Sequence, residues 1–176
     1  VEEYTLVSVS DYVLSRAKAD GVKNLVTVSN LSSSRALRDV TESYGGTYFA
    51  SAVGEVNATT LMHEKGAIIG GEGNGGVIYP AIHSGRDAMV GVALFLSNLA
   101  HKKMTVSELK KTYPEYHIAK NKIELSDKGL IDKILSELKV IYAHENVNDI
   151  DGVKISFEDK REWVHLRKSN TEPIIR

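Results

Sequence analysis

Cysteine is absent from all 176 residues. That excludes disulfides, thiolate metal sites and cysteine nucleophiles, and it suits a reducing cytoplasm, the expected location. A charge excess is absent too. Lys and Arg number 22 against 23 Asp and Glu, a formal net charge of −1, so no global field favours nucleic acid or an anionic membrane. The basic pairs Lys102-Lys103, Lys110-Lys111 and Lys160-Arg161 do not extend into basic runs and read as solvated surface. No apolar stretch is long enough to span a bilayer and no signal-peptide pattern opens the chain. Metal motifs fail as well. His63-Glu64 lacks the second histidine of H-E-x-x-H. The acidic run at Asp149 and Asp151 lacks the spaced ligands of an EF-hand and reads as a turn before a hairpin.

What is present is an ordinary globular balance, 42% hydrophobic and 26% charged. The chain opens on Val1 without methionine and closes at Arg176 inside an apparent strand, so part of a longer protein is the expectation. Residues 4–19 read as a helix with Leu6, Val7, Val9, Tyr12, Val13 and Leu14 on its apolar face. Strand-like runs at 24–29, 47–51 and 67–69 alternate with helices expected at 35–44 and 58–63. Ser32, Ser33 and Ser34 are N-cap candidates for the first of these helices. Met89, Val90, Ala93, Leu94, Leu96 and Leu99 recur at helical spacing over 86–101. Thr105 with Glu108 forms a candidate capping box. This alternation argues an α/β layer with a parallel or mixed sheet over residues 1–103. Residues 104–176 differ: an extended stretch at 116–125, an amphipathic helix through Leu130, Ile131, Ile134, Leu135 and Leu138, then strands at 153–157 and 163–167. A small α+β domain is the expectation there.

Two loops carry chemical information. Residues 70–76 contain five glycines, with side chains only at Glu72 and Asn74. Glycine admits positive φ and close approach of a ligand to the main chain. A carboxylate accepts hydroxyl hydrogen bonds and an amide both donates and accepts, so the pair suits sugar hydroxyls. A glycine-rich turn without a ligand stays open at this point. Gly71, Gly73 and Gly76 also fit G-x-G-x-x-G, but Val77-Ile78-Tyr79-Pro80 follows where the nucleotide fingerprint needs a helix, so that reading is rejected. The second loop runs from Arg167 to Pro173. Arg167 can fork to phosphate oxygens, Ser169 and Thr171 offer hydroxyls, and Asn170 an amide. Glu172 would have to point away. A plain surface turn is the alternative.

In this order the two loops resemble those of the α-D-phosphohexomutase superfamily, which includes phosphoglucomutase, phosphomannomutase and phosphoglucosamine mutase. The Arg-x-Ser-(Gly/Asn)-Thr-Glu-Pro loop of its fourth domain is matched at every defined position by 167–173. The Gly-Glu-x-Ser-Gly-His type loop of its third domain is matched at Gly71, Glu72 and Gly75, with Asn74 for serine and Gly76 for histidine. Val53-Gly54-Glu55 and Gly85-Arg86-Asp87 are similar to further third-domain segments. The resemblance implies that Glu72, Asn74 and Gly75 meet the sugar, with Arg86, Gly54 and Glu55 nearby. It implies that Arg167, Ser169, Asn170 and Thr171 grip the phosphate that is not transferred. It further implies an enzyme that interconverts hexose or hexosamine 1- and 6-phosphates through a phosphoserine and a bisphosphate intermediate. Mg²⁺ and the phosphoserine would belong to domains absent from this chain, which would hold no catalytic residue and be inactive alone. The variant Asn74 and Gly76 lean toward phosphoglucosamine mutase-like members. A non-catalytic phosphosugar-binding module is the rival.

Overall fold

The computed structural model describes residues 2–124, 128–169 and 174–176. They form two compact units, one running to His117 and one from Ile118 to Arg176. In the first, α1 (Glu2–Ala19), β1 (Val26–Asn30), α2 (Ala36–Ser43), β2 (Thr47–Ser51), α3 (Glu55–Lys65), β3 (Ile69–Gly71), β4 (Val77–Ile78), α4 (Ala88–Lys102) and α5 (Val106–Lys111) follow in order. The sheet order is β2-β1-β3-β4. The first three strands are parallel and β4 is antiparallel to β3. This is the expected α/β layer with a mixed sheet.

Side-chain alternation along the strands divides the core between the two faces of the sheet. Val26 and Val28 of β1 pack with Ala58 and Met62 of α3 and with Ile78. Leu25, Ile69 and Val77 pack with the helices α1, α2, α4 and α5. The result is helix, sheet, helix, a three-layer arrangement that covers both faces of the mostly parallel sheet. The boundary expected after Lys103 falls inside this unit. Leu109 of α5 and Tyr113 bury into the first core, which draws α5 away from the second half. Its capping box is formed as the sequence suggests, Glu108 N donating to Thr105 Oγ1 and Thr105 N to the Glu108 carboxylate.

Two helices differ from expectation. In α1 the burial is not confined to one face: residues 6–11 are all buried, because the helix packs against β3, α2, α4 and α5 at once. Polar groups are carried inside with it. Asn98 of α4 donates to Ser8 O and to Tyr113 Oη. Asp11, 4% exposed, accepts from Tyr44 Oη at 2.6 Å, from Tyr113 Oη at 2.7 Å and from Lys102 Nζ. In α4 the face turned to the core is Leu94, Phe95 and Leu99. Met89 (78% exposed), Val92 and Leu96 face outward, so half of the apolar periodicity lies at the surface. Asp87 caps this helix by accepting from Val90 N at 3.0 Å.

The second unit contains β5 (Ile123–Glu124), α6 (Lys128–Ile141), β6 (Asn146–Asn148), β7 (Val153–Phe157), β8 (Glu162–Leu166) and β9 (Ile174–Ile175). The last three before β9 form an antiparallel sheet β6-β7-β8, and β5 pairs β9. This is the small α+β organisation read from the sequence. No described helix in either unit is long and apolar enough to cross a membrane.

The Asp11 cluster yields a stability prediction. Burial alone would raise the Asp11 carboxyl, but the hydrogen bonds from Lys102, Tyr44 and Tyr113 outweigh it and hold the group below its ordinary value of 3.8. A depressed carboxyl contributes stability that is full above the unfolded value and is lost as pH falls through the folded one. Acid unfolding of the protein should therefore begin below about pH 4 and be shallower in Asp11→Ala. At neutral pH that substitution strands a lysine and two tyrosines and should cost about 2–4 kcal/mol in urea denaturation. A cost below about 0.5 kcal/mol would show that the cluster does not hold the helices together.

Candidate functional site

The parallel strands β1, β2 and β3 all end on the same edge of the sheet, and each is followed by a loop that contributes to one cluster. Ligands of open α/β sheets bind beyond the carboxyl ends of such strands. β1 ends at Asn30 and continues into Ser32, Ser33 and Ser34. β2 leads through Gly54 into Glu55 at the start of α3. β3 ends at Gly71 and continues into Glu72. The β1–β3 register pairs Ser29 with Gly71, which sets Asn30 beside Glu72.

The glycine loop is a tight return from β3 to β4. Glu72 N donates to Gly76 O at 2.9 Å and Gly75 N to Glu72 O at 3.1 Å. Gly71 is required by this closure: its φ is +151°, and a Cβ there would stand 1.9 Å from Gly76 O. Asn74 is exposed, and its Oδ1 accepts from Gly76 N at 3.1 Å. Its amide therefore braces the loop through oxygen and presents nitrogen donors outward. Glu72 is turned inward and only 6% exposed. Its Oε1 accepts from Asn30 Nδ2 at 3.0 Å and its Oε2 from an Arg86 Nη at 3.5 Å.

Arg86 also binds Glu55, Nε to Oε2 at 2.7 Å and backbone N to Oε1 at 3.0 Å. These two contacts, the backbone one first, hold the Glu55 carboxyl below its ordinary range. The turn that delivers Arg86 is sewn in place locally. His83 accepts from Gly85 N at Nδ1 and meets Asp87 Oδ2 at Nε2, both at 3.0 Å. Thr59 Oγ1 of α3 donates to Ser84 O. One arginine thus bridges two carboxylates from different strand ends. Such a site has donors and acceptors for hydroxyl groups, and its fixed members leave an adaptable one in Arg86, 46% exposed.

This donor set does not fit a divalent cation, because both carboxylates already share an arginine. Among the described residues no group of three or more His, Asp or Glu could hold a metal ion.

The second loop is described within its own unit. Arg167 exchanges both backbone hydrogen bonds with Arg176 at 2.9 Å, and Ser169 N donates to Ile174 O at 3.0 Å. These bonds pair the described residues on either side of the loop. Asn170 and Thr171 lie outside the described residues. Ser169 is buried. The Arg167 guanidinium stands 4.0 Å from Asp151 Oδ2, at the limit of an ion pair. Gly152 makes room for this strand, since a Cβ there would meet Leu166 O at 2.2 Å.

Of the residues singled out from the sequence, Glu72, Asn74, Gly75, Gly54, Glu55 and Arg86 meet around one strand-end cluster in the first unit. Arg167 and Ser169 stand together at the base of the second loop. Sequence reasoning missed Asn30 and Ser33. Ser33 Oγ accepts from Gly73 N at 3.0 Å and donates to Asn30 Oδ1 at 3.0 Å. In sequence the three serines read only as helix caps; the residue that precedes α2 is Arg35, with no side-chain cap bond, while Ser34 Oγ accepts from Ala36 N at 3.2 Å. The available signal was position: a polar run directly after a buried parallel strand.

Residues 2–116 match the family described as phosphoglucomutase/phosphomannomutase, alpha/beta/alpha domain III. A Methanopyrus kandleri protein named probable phosphoglucosamine mutase is 30% identical over 148 residues, 84% of this chain and 32% of that protein. A Sulfurisphaera tokodaii phosphoglucosamine/phosphogalactosamine mutase is 33% identical over 157 residues, 88% of this chain and 34% of its own length. Among solved structures, a phosphoglucomutase/phosphomannomutase family protein from Burkholderia thailandensis superposes with a TM-score of 0.75 at 20% identity. That match covers 98% of this chain and 36% of the other, and it speaks for the fold. The chain spans about a third of the length of the relatives it matches.

Gly71→Ala tests the loop geometry directly. The added methyl group cannot coexist with the Gly76 carbonyl, so the β3–β4 return must open. The expected cost is about 1–3 kcal/mol in thermal unfolding, with changed amide shifts at Glu72 and Gly76. Unchanged shifts would mean that the return does not need glycine.

Proposed function

Because this chain belongs to the phosphoglucomutase/phosphomannomutase family, we propose that it supplies sugar and phosphate recognition to a whole phosphohexomutase. That enzyme would interconvert the 1- and 6-phosphates of a hexose or hexosamine through a phosphoserine and a bisphosphate intermediate. The observation that carries the reading is the buried Glu72 carboxylate at the strand ends, fixed on one oxygen by Asn30 and on the other by Arg86. A carboxylate has about four lone-pair sites; these two donors use two of them, and sugar hydroxyls take the rest. Asn74 adds amide donors from the loop tip. Arg167 and Ser169, with Asn170 and Thr171, grip the phosphate that does not react.

This division suits a reaction in which the sugar must turn end for end. Recognition at Glu72 has to accept similar hydroxyls in two orientations, which favours few contacts and one movable partner, Arg86. The phosphate loop contributes orientation rather than bond-making. The nucleophile and the Mg²⁺ are assigned to segments outside these residues; when bound, the ion would neutralise the phosphoryl group in flight. The hexosamine lean rests on the relatives named for glucosamine phosphate and on Asn74 and Gly76 in place of serine and histidine.

Kinetics of the whole enzyme test the assignment. Glu72→Gln should lower kcat/KM for the sugar monophosphate about 10- to 150-fold, since hydrogen bonds to a charged group contribute about 1.5–3 kcal/mol. Arg167→Lys keeps the charge but loses the planar fork, so it should raise KM more than it lowers kcat. Wild-type kinetics in both variants would remove the two loops from substrate binding.

A further inference from the structure

We propose that Asn30 is the positioning residue that keeps the Glu72 carboxylate aimed at the sugar when the substrate displaces Arg86. The proposal rests on the reading of Glu72 as a sugar ligand. Asn30 is the last residue of β1 and, like Glu72, 6% exposed. Its side-chain oxygen accepts from Ser32 N at 3.1 Å and from Ser33 Oγ at 3.0 Å. With two donors on the oxygen, the amide has one orientation: nitrogen toward Glu72. Ser33 in turn accepts from Gly73 N. The loop after β1 therefore holds residue 72 by its side chain and residue 73 by its backbone.

The two partners of Glu72 are not equivalent. Arg86 reaches it at 3.5 Å, is about half exposed and is also held by Glu55. It can retreat to Glu55 when hydroxyls arrive. Asn30 is buried, bonds Glu72 at 3.0 Å and is fixed on its other side. It stays. The position needs both a double acceptor toward Ser32 and Ser33 and a neutral donor toward Glu72, and only a primary amide of this length offers that set. An aspartate would keep the two acceptor bonds and set like charges face to face.

That contrast defines the experiment. In the whole enzyme, Asn30→Asp preserves size and the ties to Ser32 and Ser33, and alters only the edge facing Glu72. It should raise KM for the sugar monophosphate tenfold or more with a smaller change in kcat. The double variant Asn30→Asp/Glu72→Gln reverses the polarity of the bond, the new amide donating to the new carboxylate. Its KM should fall within about threefold of Glu72→Gln alone. A role confined to loop structure predicts near wild-type KM for Asn30→Asp, and that result overturns the proposal. If Asn30→Asp does not fold, the double variant still decides: a KM tenfold above that of Glu72→Gln overturns it, and a matching KM supports it. A silent Glu72→Gln would locate the failure in the sugar reading itself.

Discussion

A carboxylate taken almost wholly out of water is costly unless charged or hydrogen-bonding partners replace the solvent. Glu72 is such a group, and its needs account for the arrangement around it. One oxygen is met by an amide delivered at the end of β1. The other is met by an arginine delivered by the turn before α4. Both deliveries depend on the sheet: the parallel register of β1 and β3 sets Asn30 beside Glu72, and the β4 return brings the following segment back to the same edge. The bridge Ile78↔Arg86 and the bond from Asp87 N to Val77 O fasten that segment to β4. The glycines serve the same end, letting the chain reverse within a few residues so that Glu72 points in and Asn74 points out.

The rest of the first unit keeps this edge rigid. α1 is buried nearly all round in its middle, and of the polar groups it carries inside, Ser8 is met by Asn98 and Asp11 by Tyr44, Lys102 and Tyr113. The short network around Asp11 joins α1 to α4 and to the segments after α2 and α5. Burial and the neighbouring carboxylate both push the Tyr113 and Tyr44 hydroxyls up, so they remain protonated donors to Asp11 throughout the physiological range. The strand ends thus stand on a scaffold tied together by buried polar contacts, although Ser10 Oγ and Asn98 Oδ1 are buried there without a hydrogen-bond partner among the described residues.

Much of this was legible in the sequence because it is local. Strand-like runs of three to six residues between helical patterns mark the strands. The Thr105–Glu108 box needed only its own turn. The glycine loop declared its conformational demand through composition. What was illegible depends on contacts between distant segments. Asn30 follows an apolar strand and looks like any strand end until Glu72, 42 residues later, is placed beside it. Arg86 and Glu55 are 31 residues apart, with no pattern to pair them. The outward face of α4 is illegible for a related reason: periodicity shows that a helix has apolar positions, and only packing shows which of them meet the core. The change of pattern after residue 103 sets α5 with the second half in sequence, while Leu109 and Tyr113 bury into the first unit.

The most direct test of the account is a crystal structure of the whole enzyme with a hexosamine 6-phosphate bound. The account predicts sugar hydroxyls within hydrogen-bond distance of the Glu72 carboxylate and Asn30 still on Oε1. It predicts Arg86 drawn toward Glu55, and the phosphate at the loop that begins with Arg167. A sugar ring bound away from the ends of β1, β2 and β3, with Glu72 still closed on Arg86, would contradict it.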